Sequence, residues 1–205
     1  MKGSKILGTR EKIVEAAERV MRERGLARST TKEIARAAGY SEGTLYKHFE
    51  SKEDLFLAVL AERLPSFLAL VEELPARVGR GTVRETLEEV ASTALAFYGE
   101  IVPMAASIFS EPGLLARYRE GVHKRGAGPR MVNEALTAYL EAEKRIGRVR
   151  EDADPEAVAA MVLGACYQRA FFGSFLGEDM PAEGEDGFVE GIVQTLMRCL
   201  SPSGE

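Results

Sequence analysis

Cysteine and histidine are scarce in this chain of 205 residues, with two of each. Cys166 and Cys199 are too few for a disulfide framework and lack CxxC spacing, which predicts two core cysteines in a reducing cytoplasm. His48 and His123 offer no HExxH spacing, and neither a GxSxG nor a phosphate-loop glycine pattern occurs. Catalysis therefore lacks its usual convergent polar set, and no metal or other cofactor is expected. No apolar run follows the basic opening residues, which predicts no secretory signal and a cytoplasmic protein. The most apolar stretch, Ala157 to Gly177, contains Gln168, Arg169 and many Ala and Gly residues. That composition suits a buried packing helix better than a membrane span. Strand-like alternation is scarce throughout.

The distribution of charge is more telling than its sum. Residues 1–55 carry 12 Lys or Arg against 9 Asp or Glu, a balance of +3. Residues 56–205 carry 15 against 23, a balance of −8, and the two parts give the chain's net −5. A basic N-terminal module on an acidic body is the asymmetry expected of a protein that reads DNA without coating it. We therefore divide the chain into a module over 1–55 and a larger domain over 56–205.

Helix signals are densest between residues 30 and 56. Thr30 and Glu33 have capping-box spacing, Ile34, Ala35 and Ala38 supply an apolar side, and Gly39 fits an αL C-cap. Ser41 can cap a second helix at once, and Ser51 with Asp54 repeats the capping spacing for a third. Two helices joined this tightly form a helix-turn-helix, whose second member typically enters a major groove. In that second helix Leu45 and Phe49 point to the hydrophobic side. Gly43, Thr44, Tyr46 and Lys47 point away from it, with Glu42 and His48 on the flanks. About two turns, roughly 12 Å, fit between Ser41 and Phe49, which suits insertion into a groove. An earlier helix from Thr9 to Arg24, stopped by Gly25, covers the pair with Ile13, Ala16, Ala17, Val20 and Met21. Ahead of it Lys2, Lys5 and Arg10 form a loose basic arm, either lying in a minor groove or simply solvated.

From Thr9 through Phe56 the chain resembles the DNA-binding domain of the tetracycline-repressor (TetR) family. The residues that carry the resemblance are Gly39, Ser41, Gly43, Thr44, Leu45, Tyr46, His48, Phe49, Lys52 and Leu55. It implies a homodimeric transcription regulator, more often a repressor, with a helical second domain that binds a small effector. It also implies phosphate contacts for Thr31, Lys32, Tyr46, Lys47, His48 and Lys52, with Gly43 and Thr44 near base edges. Glu42 fits two roles, accepting from a cytosine amino group or repelling misplaced backbone. Two such helices in a dimer imply a near-palindromic double-stranded operator.

Past Pro65 the period stays helical. Thr82 and Glu85 make another capping box, Pro103, Pro112 and Gly113 break the middle region, and Asp154 with Pro155 opens a long helix. The last helix spans about Glu185 to Leu200, and the expected fold is all-α with about nine helices. In the last two long helices Ala160 and Gly164 allow close backbone approach, while Phe188, Ile192, Val193, Leu196 and Met197 lie in a broad apolar arc. These residues are the expected dimer interface, a four-helix bundle across two chains. For a hydrophobic effector the expected walls are Phe97, Tyr98, Ile101, Met104, Ile108 and Phe109, with Tyr118, Gln168, Phe171, Phe172 and Phe175. The same residues fit plain core packing. A helical adaptor would account for the second domain alone but leaves Gly43, Thr44, Tyr46 and Lys52 without a purpose.

Overall fold

The computed structural model describes residues 8–63, 65–105, 108–109, 112–125, 129–177 and 187–202, without the side chains of 61–63, 65–66, 104, 122–125 and 129. Among these residues there are ten α-helices and no strand. They are α1 (Thr9–Arg28), α2 (Thr31–Ala37), α3 (Glu42–Leu45), α4 (Lys52–Arg63), α5 (Pro65–Arg77), α6 (Val83–Ala105), α7 (Pro112–Arg125), α8 (Pro129–Arg145), α9 (Pro155–Leu176) and α10 (Phe188–Leu200). The chain divides into two compact units, one from Met1–Arg63 with Pro103–Gly126, the other from Leu64–Val102 with Ala127–Glu205. The all-helical expectation holds.

The first unit is built on α1. Ile13, Val14, Ala16, Ala17, Val20 and Met21 recur at helical spacing and are buried, as an amphipathic stripe must be. Gly25 interrupts the helix at positive φ, 74° with ψ 161°, and a last turn then runs to Arg28. Arg10 belongs to α1 rather than to a loose arm, with its guanidinium 5.3 Å from the centre of the Phe49 ring. Lys2 and Lys5 lie outside the described residues. α4 packs on α1 and buries Leu55, Phe56 and Val59. The boundary expected after residue 55 falls inside α4, a single helix to Arg63. α7 joins this unit from far along the chain: Arg117 pairs with Glu53 at 3.3 Å, and the Tyr118 and Phe56 rings lie 6.5 Å apart.

In the second unit α5, α6, α8, α9 and α10 enclose one core that includes Phe67, Leu74, Leu87, Leu136, Tyr139, Val162 and Val193. The Thr82 capping box forms, with Glu85 N–H donating to Thr82 Oγ1 at 3.1 Å and Thr82 N–H to Glu85 Oε2 at 2.9 Å. The expected break at Pro103 does not occur. α6 runs on to Ala105, because a proline in the last turn forfeits only one helical bond. α9 opens on Asp154, which accepts from Ala157 N–H at 3.1 Å, and closes on Gly177 at φ 69°. Cys166 is wholly buried and donates to Ala91 O at 3.4 Å, and burial pushes its thiol up to about 12. It stays protonated at neutral pH, as a packing residue would. Cys199 is exposed, contrary to the expected core place, because it lies on the outer side of α10.

One buried acid ties this unit together. Glu143 on α8 is fully buried, accepts from Gly79 N–H at 3.0 Å, and pairs with Arg148 at 3.3 Å. It thereby fastens the turn between α5 and α6 onto α8. Removing one partner of a buried pair leaves the other uncompensated. Glu143→Ala is expected to lower stability by about 2 kcal/mol, read as a lower urea midpoint at unchanged slope. An unchanged midpoint would show that this carboxylate contributes nothing to the fold.

Candidate nucleic-acid interface

The short segment from Thr30 to Lys52 assembles its exposed face through caps. Thr30 Oγ1 accepts from Glu33 N–H and Glu33 Oε2 accepts from Thr30 N–H, both at 3.2 Å, so the reciprocal box at the start of α2 is complete. The Thr30 hydroxyl, donating to Glu33 Oε2 at 2.9 Å, and the Thr30 N–H hold the Glu33 carboxyl below its ordinary value, with help from Arg24 and Arg36. At the other end Gly39 takes φ 79°, and its N–H donates to Arg36 O at 3.1 Å while Tyr40 N–H donates to Ala35 O at 2.9 Å. That pair of bonds is a Schellman ending, which glycine accommodates without strain. Ser41 follows immediately and accepts from Thr44 N–H at 3.2 Å. The turn between α2 and α3 thus satisfies the end of one helix and the start of the next within four residues.

α3 is shorter than the nine-residue rod expected between Ser41 and Phe49. Regular helix covers Glu42–Leu45, after which Lys47 N–H bonds Thr44 O and His48 N–H bonds Leu45 O, the tighter i→i−3 pattern. Leu45 and Phe49, 0% and 3% exposed, anchor the segment from beneath. Tyr46, Lys47 and His48 are exposed above it, and so is Lys32 on α2. Gly43 has ordinary helical backbone, and a Cβ there would meet nothing nearer than Ser41 Oγ at 3.9 Å. The fold does not require glycine at this position, so the missing side chain matters only to what approaches from outside.

Three of the expected residues are joined directly. Thr31 Oγ1 donates to Glu42 Oε1 at 2.6 Å and lies 3.2 Å from the Tyr46 hydroxyl. Thr44 Oγ1 lies 2.9 Å from Ser41 Oγ. Lys52 is half-buried and donates through Nζ to Ala27 O at 3.3 Å, so its ammonium sits at the carbonyl end of α1. Neither the Thr31–Glu42 bond, eleven residues apart, nor the Lys52–Ala27 bond, twenty-five apart, has a sequence signature. The same holds for Arg24, which donates to Glu33 at 2.7 Å across nine residues.

The effector and dimer candidates are distributed differently from expectation. Phe97, Tyr98, Ile101, Gln168, Phe171, Phe172 and Phe175 belong to the second unit, while Ile108, Phe109 and Tyr118 belong to the first. The side chain of Met104 lies outside the described residues. Phe97 and Tyr98 are half-buried against Phe67, and Tyr98 meets Tyr167 edge-on at 5.5 Å. Burial pushes the Tyr98 phenol up to about 12. Phe171, Phe172 and Phe175 are 42%, 49% and 74% exposed along α9. Ile108 is buried, and Phe109 is exposed. In α10 the broad apolar arc splits in two. Val189, Val193, Leu196 and Leu200 face the core of their own chain, so Val193, at 0% exposure, has no surface for a partner, and Leu196 has little. Phe188, Ile192 and Met197 are half-buried, and Ala160 and Gly164 on α9 are exposed.

Residues 13–59 match the bacterial regulatory proteins of the tetR family. The HTH-type transcriptional repressor BepR of Brucella suis biovar 1 is 50% identical, over 94% of this chain and 91% of its own. With three other curated relatives the match spans 25% to 31% of their length. Among solved structures, the regulator FadR from Bacillus subtilis in complex with stearoyl-CoA aligns with a TM-score of 0.67 at 19% identity, covering 92% of this chain and 97% of that one. SmeT, the repressor of the Stenotrophomonas maltophilia multidrug efflux pump SmeDEF, aligns with a TM-score of 0.67 at 20% identity, covering 96% and 92%. At these identities the two structures speak for the fold.

Thr30→Ala is expected to lower stability by about 1 kcal/mol at pH 7. Because Glu33 is held below its ordinary value, its contribution is complete above the unfolded carboxyl range and fades as pH falls through the lowered one. The difference between wild type and Thr30→Ala should therefore narrow in acid. Thermal melts at pH 7 and pH 3 check this, and a gap that widens in acid would contradict it.

Proposed function

The chain belongs to the TetR family of bacterial regulatory proteins, and from that membership we propose that it represses transcription by binding a near-palindromic operator as a homodimer, released by a hydrophobic small molecule. The single observation that carries the DNA-binding part is the exposed segment from Glu42 to His48. It is fixed from beneath by Leu45 and Phe49, and it keeps a glycine the fold does not need. On this reading Lys32, Lys47 and His48 hold phosphates, and the Gly43 backbone and Thr44 approach base edges. Lys52 contributes from its place at the end of α1, with two ammonium protons beyond the one given to Ala27 O.

The test separates fold from binding. Gly43→Ala is expected to keep or raise the melting temperature, since alanine in a helix is better than glycine by about 0.5–1 kcal/mol. The same change should weaken binding to the chain's own upstream DNA at least tenfold in a mobility-shift assay, roughly the loss of one close groove contact. Wild-type affinity should fall steeply with salt. Binding that ignores both the substitution and the salt would refute the reading.

Dimerisation is supported by the outer side of α9 and α10. Met161, 59% exposed, lines an apolar groove with Ala165, Phe188, Gly191, Ile192 and Thr195. An exposed apolar surface of this kind is what a second chain covers. Gly164 lies on the same side, with nothing within 4 Å of a Cβ placed there. Gly164→Glu should therefore fold normally as a single chain and sediment near 22.4 kDa, while the wild type sediments near twice that mass. Equal masses for the two would remove this part of the proposal.

The effector part rests on the aromatic group of Phe67, Phe97, Tyr98 and Tyr167. These side chains offer flat apolar surface with phenol tips, suited to an apolar or aromatic ligand. A helical spacing change transmitted to the two Glu42–His48 segments would then lower operator affinity, and by linkage the operator would lower effector affinity equally.

A further inference from the structure

We propose that Tyr46, Thr31 and Glu42 form a hydrogen-bond relay that parks the Glu42 carboxylate in the free protein, and that operator binding exchanges this relay for a bond from a base amino group to Glu42. The proposal rests on the operator-binding reading above and deepens it. Glu42 becomes the residue that selects cytosine or adenine at one position of each half-site.

Thr31 Oγ1 lies 2.6 Å from Glu42 Oε1 and 3.2 Å from the Tyr46 hydroxyl. A hydroxyl has one proton, and a carboxylate only accepts. Thr31 therefore donates to Glu42, and Tyr46 donates to Thr31. Both hydroxyl protons are committed inside the protein. A phosphate oxygen also only accepts, so Thr31 cannot donate to it while still holding Glu42.

When DNA takes the Thr31 proton, Glu42 is left as an anion without its donor beside a polyanion. That state is unfavourable unless the groove supplies a new proton. In the major groove cytosine N4 and adenine N6 supply one, whereas guanine and thymine present acceptors or a methyl group. The neighbouring residue is Gly43, exposed and without a Cβ, so base edges can come within reach of the Glu42 side chain. The relay thus opposes wrong sequences and nonspecific backbone in the same way, through an unmatched carboxylate.

The experiment selects bound duplexes from a random pool with the full chain. Wild type is expected to enrich a motif with cytosine or adenine fixed at one position per half-site. Glu42→Ala should lose preference at that position alone and bind unrelated duplex about tenfold more tightly, one anionic contact having gone. Glu42→Gln should shift the position toward adenine, which an amide pairs with in bidentate fashion. Thr31→Val should weaken binding to all sequences with the base preference kept, and Thr31→Ser should restore affinity. A wild-type motif that Glu42→Ala leaves unchanged overturns this proposal and spares the operator reading. Loss of the base preference in Thr31→Val overturns the exchange, because Thr31 would then hold Glu42 in the complex as well. Wild type enriching no motif overturns the operator reading, and this proposal with it.

Discussion

Everything presented by residues 42–48 depends on how one helix ends and the next begins. Gly39, at φ 79°, turns the chain so that two amides close onto α2, and Ser41, two residues later, captures the Thr44 amide in the first turn of α3. With both ends satisfied locally, α3 needs little length of its own. One regular turn and a tighter one suffice, because Leu45 and Phe49 clamp it to the core of the first unit. A four-residue helix in isolation would not persist. Its permanence is borrowed from caps, from burial and from packing against α2.

α9 in the second unit meets opposite demands on its two sides. Val158, Ala159, Val162, Leu163, Cys166 and Ala170 are buried in the core of their own chain, and Met161, Tyr167, Phe171, Phe172 and Phe175 are exposed. Such a helix is apolar nearly all round, which explains why its sequence alone raises a membrane question. No described helix is long and apolar enough to cross a membrane. α10 divides the same labour more sharply, with Val193 inward and Ile192 outward at adjacent positions.

Local chemistry was readable from residue order, and distant chemistry was not. The Thr30, Ser41, Thr82 and Asp154 caps each depend on residues three apart, and all four form. Burial of Ile13, Leu45 and Phe49 followed from helical period in the same way. What the sequence hid were bonds between elements: Thr31 to Glu42, Lys52 to Ala27, Glu143 to Gly79. Periodicity also could not say which half of a broad apolar arc turns inward, so Val193 looked available and is enclosed. α7 joining the first unit was likewise invisible, since nothing near Arg117 in the chain names Glu53 as its partner.

The unequal fates of the two sulfurs have a practical side. Cys166 is sealed in the core and held protonated, while Cys199 stands open on α10, on the same side as Ile192 and Thr195. In the unpaired chain thiol reagents at neutral pH meet a single accessible target. The natural protein thus carries a ready attachment point for a dye or spin label, beside the surface whose pairing with a second copy one would wish to watch.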